Sequence, residues 1–96
     1  NDRAQLAELG AELNRRVLAD WMAQGVGVVD PASTWVDVTA ELAQDVTLEQ
    51  GVLVRGTTRI GQGARVGAYA ILTDAVIPAG CVVAPFSQLD ADAAQA

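Results

Sequence analysis

Three features of the sequence predict one long α-helix followed by an all-β hexapeptide-repeat β-helix of about three coils. Aliphatic residues recur every six positions, small residues sit four places behind them, and an amphipathic stretch precedes both. Neither an α-helix, with a period of 3.6, nor a lone strand, with a period of 2, repeats at six. Val36, Leu42, Leu48, Val54, Ile60, Val66 and Leu72 hold the register. One position then drops out, and Ile77, Val83 and Leu89 resume it. Val, Leu and Ile fill 14 of the 42 positions from 36 to 77. Seven consecutive hits, in any of six phases, would therefore arise by chance roughly three times in a thousand. The second column is Ala40, Val46, Val52, Thr58, Ala64, Ala70, Val76, Cys81, Ser87 and Ala93, each small or β-branched.

The first element is a helix over residues 2–24, within a connecting segment 1–25. Leu6, Leu9, Leu13, Val17 and Trp21 recur at steps of three and four and form its apolar stripe. Asp2 with Gln5 reads as a capping box, Glu12 with Arg16 as an i,i+4 ion pair, and Gly25 as the C-terminal stop. In residues 26–35 the period changes: alternating valines predict a short strand, and Asp30-Pro31 ends it in a turn. Residues 36–90 form the β-helix. Six residues make one strand and one corner, and three such faces close a coil of about 18 residues. The aliphatic column points inward and the small column sits near the corners, where Gly51, Gly61 and Gly67 permit a tight backbone. The low-complexity stretch "DADAAQA" predicts a frayed tail over 91–96.

At 96 residues the chain is one small domain. Twelve acidic residues against six basic ones, with no histidine, give a net charge of −6. No basic stripe is available to follow a phosphate backbone, so nucleic acid is not an expected partner. A single cysteine, Cys81, cannot form an internal disulfide and fits a reducing, cytoplasmic location. No apolar run approaches the roughly 20 residues of a membrane span. The chain opens at Asn1 without a methionine, which makes a processed or excised piece of a longer chain the expectation. A prism with ten inward aliphatics has a thin core, so lateral self-association is expected to supply further stability.

Candidate chemistry is sparse. "GQGARVG" superficially matches a dinucleotide-binding loop, but its third glycine falls one place late and no helical pattern follows; β-helix corners account for it. Cys81 occupies a small-residue position and reads as a packing residue. Without histidine, serine or cysteine triads and histidine metal sites are excluded. Asp30 and Asp37 lie near the start of the prism, where turn or corner hydrogen bonds compete with acid–base work. Trp21 and Trp35 read as packing anchors ahead of ligand stackers. These residues form no catalytic constellation.

The stretch "NDRAQLAELGAELNRRVLADWMAQGVGVVDPASTWVDV" and the coils through "GAYAILTDAVI", with the five-residue step from Leu72 to Ile77, resemble a known family. It is the bifunctional bacterial UDP-N-acetylglucosamine pyrophosphorylase and glucosamine-1-phosphate N-acetyltransferase, in its actinobacterial form. The resemblance implies a left-handed β-helix that trimerises. It also implies a preceding domain that transfers uridylyl groups with magnesium, and later coils that use acetyl-CoA. Asn1 matches the family asparagine that helps hold magnesium, together with an aspartate of that preceding domain; by residue type Asn1 also suits a helix N-cap. "VAPFSQLD" resembles the family stretch in which Pro-Phe leads to Leu-Arg, the arginine contacting the sugar phosphate. Here Asp90 stands in its place, and the stretch arrives early, as if a coil were absent. The family's acetyltransferase histidine has no counterpart. No catalytic or cofactor-binding residue is therefore expected in this chain. Two functions stay open: a fragment of the bifunctional enzyme, inactive alone, or a non-catalytic β-helix module that self-associates as a trimer.

Overall fold

The computed structural model describes residues 2–92. Helix α1 (Arg3–Ala23) runs into eleven short strands wound as a parallel β-solenoid with three faces. The first face stacks β1 (Gly27–Val28), β4 (Thr47–Leu48), β7 (Arg65–Val66) and β10 (Val82–Val83). The second stacks β2 (Trp35–Val36), β5 (Leu53–Arg55), β8 (Ile71–Thr73) and β11 (Gln88–Leu89). The third stacks β3 (Glu41–Leu42), β6 (Arg59–Ile60) and β9 (Val76–Ile77). The strand within 26–35 is thus itself the first rung of a face, and the turns number nearly four.

Register gives the length of each coil. Val28 lies opposite Leu48, twenty positions on; Val36 lies opposite Val54, eighteen on; Ile60 lies opposite Ile77, seventeen on. The surplus in the first coil is the turn at Asp30, whose carbonyl accepts from Ser33 N at 3.2 Å and from Thr34 Oγ1 at 2.7 Å. The later deficit falls at Asp74, where one residue at φ 51° turns the corner.

The inward column is buried from Val36 through Val83, and Leu89 packs partly buried against the same core. The second column is buried from Ala40 through Ala70, but Val76 does not belong to it. Ala75, with no exposed surface, fills that place, while Val76 is 45% exposed and faces outward. The missing residue falls at the Asp74 corner itself, between Thr73 and Ala75, so the column must be counted back from Ile77 instead of forward from Leu72. Cys81 packs half-buried on the core. Ala93 and the rest of the expected frayed tail, 93–96, lie outside the described residues, as does Asn1.

Helix α1 has the expected start: Gln5 N donates to Asp2 Oδ1 at 2.9 Å, and Asp2 N donates to Gln5 Oε1 at 3.0 Å. It stops on Gly25, whose φ of 97° lets Gly25 N reach Met22 O and Val26 N reach Trp21 O, both at 3.1 Å. That pairing is a Schellman turn, and it delivers Val26 directly into the core. The helix packs against β1 and β2. The apolar stripe differs from expectation, because Leu6, Leu9 and Leu13 stay more than half exposed. The buried helix residues are Asn14 and Leu18, with Val17 and Trp21 packed beside them. Only the C-terminal half of the helix lies against the prism.

Candidate functional site

The most structured polar arrangement lies where α1 meets the second face. Asn14 is 8% exposed, and its Nδ2 donates to Thr34 O at 2.7 Å while its Oδ1 accepts from Val36 N at 3.1 Å. Leu18, one turn further on, is buried in the core and holds the helix in this position. Two shallow clefts flank the neighbouring Trp35. One, of about 400 Å³, is lined by Leu13, Val17, Val36 and Val38; the other, of about 510 Å³, by Ala11, Pro31 and Ala32. Their walls are mostly apolar, and the polar groups at their rims are already engaged. Asp30 Oδ2 accepts from Ser33 Oγ at 2.8 Å, and Asp37 Oδ2 accepts from Gly56 N at 2.8 Å. Such surfaces offer apolar contact more than acid–base chemistry.

Both junction aspartates therefore act in turns and corners, as the structural alternative for each required. Asp74, two coils on, approaches the same corner from the other side, its Oδ1 accepting from Thr57 N at 2.9 Å. Trp21 packs against the core, whereas Trp35 sits on the outer face at 43% exposure. The glycines of "GQGARVG" lie at or beside corners. The exposed Glu12 carboxyl on α1 is held below its ordinary value, first by its hydrogen bond and charge contact with Arg15 and then by Arg16. Among the described residues no three carboxylate or cysteine side chains gather as metal ligands. Asp2, next to Asn1, accepts from Gln5 N with its carboxylate at the helix cap. Asp90 begins a turn, accepting from Asp92 N at 3.0 Å. Sequence reasoning missed Asn14, since a polar residue beside the Leu13 stripe looks solvent-facing until the strand edge it meets is known.

No family model matches the chain. Over 83 residues, 86% of its length, it is 55% identical to the bifunctional protein GlmU of Kineococcus radiotolerans. The chain is GlmU-like over most of its length. It is also 53% identical over 83 residues to GlmU of Micrococcus luteus. The match to GlmU of Rhodococcus jostii is 46% over 105 aligned positions, covering 93% of the chain. The stretches matched amount to 17%, 17% and 21% of those three GlmU proteins, so the chain spans about a fifth of their length. An alignment of 105 positions exceeds the 96 residues available, so the longer match sets part of GlmU opposite gaps in this chain. Helix α1 and the solenoid together form the GlmU-like region.

Proposed function

We propose that this chain is the connecting helix and opening coils of a bifunctional enzyme of UDP-N-acetylglucosamine synthesis. In this reading it is a scaffold that joins a uridylyl-transferring domain to acetyl-transferring coils and catalyses neither reaction alone. The observation that carries the proposal is the 55% identity over 86% of the chain to a stretch that is only 17% of a GlmU protein. Magnesium and acetyl-CoA would belong to the complete enzyme, with Asn1 the one residue of this chain placed by resemblance near the metal. A cytoplasmic, trimeric assembly completes the reading.

A second reading is a self-associating structural prism. It is favoured by Asp90, which puts a negative charge where the family arginine meets a phosphate, and by the gaps the longer GlmU alignment needs. An assay of the purified chain with radiolabelled acetyl-CoA and glucosamine-1-phosphate, and with labelled UTP, magnesium and N-acetylglucosamine-1-phosphate, is expected to give buffer-level turnover. Turnover above that rate in either reaction would refute the scaffold reading.

A further inference from the structure

We infer that the Asn14 side-chain amide plugs the open edge of the solenoid, standing in for the strand that a preceding coil would have supplied to β2. The argument begins with the second face, where β2 is the end rung. A strand in a parallel ladder directs its hydrogen-bonding groups alternately to the two sides. Trp35 N donates to Val52 O at 3.0 Å and Asp37 N to Val54 O at 2.9 Å, both toward the next coil. Thr34 O and Val36 N face the other way, where no rung exists. Thr34 has no exposed surface and Val36 is 4% exposed, so water does not satisfy these groups.

Asn14 supplies both missing partners from one planar group. Its amide carries a donor and an acceptor side by side, as a peptide unit does, and the two contacts at 2.7 and 3.1 Å fix which end is oxygen. Leucine has neither group, serine is too short to reach both, and aspartate lacks the donor. Leu18 anchors the helix so that Asn14 meets the edge one turn earlier. The plug thus has two effects. It closes a strand edge that would otherwise invite pairing with another chain, and it sets where along the helix the solenoid begins. This inference concerns the chain's own architecture and stands whichever reading of its function holds.

Amide hydrogen exchange on the whole chain, followed by NMR, tests it. In the wild type the Val36 N–H, although on the end rung, should exchange within about tenfold of the Trp35 and Asp37 amides. In Asn14→Leu the Val36 amide should exchange at least about tenfold faster relative to those two, which keep their partners in the next coil. Equal acceleration of all three, or no acceleration of Val36, would overturn the inference. Should Asn14→Leu not fold, the wild-type side chain decides. At least one Asn14 Nδ2 proton should exchange at least about a hundredfold slower than the side-chain amides of the exposed Gln44 and Gln62. Exchange at the exposed rate would reject the plug.

Discussion

Gly61 and Gly63, two residues apart, are glycines for different reasons. Gly63 has a φ of 74° and open space around it, so it answers only to backbone conformation. A Cβ on Gly61 would fall 2.4 Å from Ala79 N, and one on Gly67 2.5 Å from Pro85 N, so these positions are set by the next coil pressing on them. Gly63→Ala is expected to cost about 1–2 kcal/mol, the strain of a left-handed residue. Gly61→Ala should cost more, because the rungs must separate and the 2.8 Å bond from Gly61 N to Ile77 O is weakened. Urea denaturation of both variants checks this, and equal midpoints would show that the coil at Ala79 yields freely. At the corner joining the first and second faces, Tyr69 and Phe86 adopt φ of 62° and 61°, values disfavoured for aromatic residues. Their rings stack at 5.6 Å and 9°, and Tyr69 lies over Gly51, where a Cβ would come within 2.3 Å of the ring. Ring stacking offsets part of the backbone cost.

Helix α1 divides into two halves with different energetics. Leu18 is buried at 1% exposure, and Leu18→Ala is expected to cost about 2–5 kcal/mol. Leu9, at 57% exposure, should change stability by no more than about 0.5 kcal/mol when replaced by alanine. Chemical denaturation of the pair would measure this, and a large Leu9→Ala cost would mean that the stripe at Leu6, Leu9 and Leu13 is covered in solution. The sequence made the helix, its cap at Asp2 and its stop at Gly25 legible, because these depend on neighbours three to five residues apart. It did not reveal which half meets the prism, since periodicity reports that a face is apolar and not what lies against it. The inward column was readable for the same kind of reason: every rung puts the same position inside. The exchange of Val76 for Ala75 was not, because a period broken by one residue leaves the place of the break ambiguous. Asn14 escaped notice because its partners, Thr34 O and Val36 N, lie twenty and more residues away and are backbone groups that no side-chain pattern marks.

At the scale of the whole molecule, the three faces differ in what they show to solvent. The third carries the exposed Glu41–Arg59 ion pair, 3.1 Å apart. The second carries Trp35 with the half-buried Leu53 and Ile71, the first adds Val82 at 74% exposure, and Tyr69 and Phe86 crown the corner between these two. Val38 at 78% and Val76 at 45% exposure put apolar surface on the other side of the prism as well, and Arg65–Glu49, 3.0 Å apart, puts an ion pair on the first face. The stacked Tyr69–Phe86 pair nonetheless makes the corner between the first and second faces the expected contact between copies. The family resemblance makes a trimer the expected assembly. A charge of −6 per chain opposes close approach, so association should tighten as salt screens the repulsion. Phe86 is 75% exposed, and Phe86→Asp should weaken association while leaving the monomer folded, because it removes ring contact and adds charge at that corner without touching the core. Sedimentation equilibrium at low and moderate salt, on wild type and Phe86→Asp, tests this. A wild-type monomer at every concentration would refute association, and a dimer would keep it while discarding threefold symmetry. A Phe86→Asp variant that assembles as tightly as the wild type would move the interface to another face.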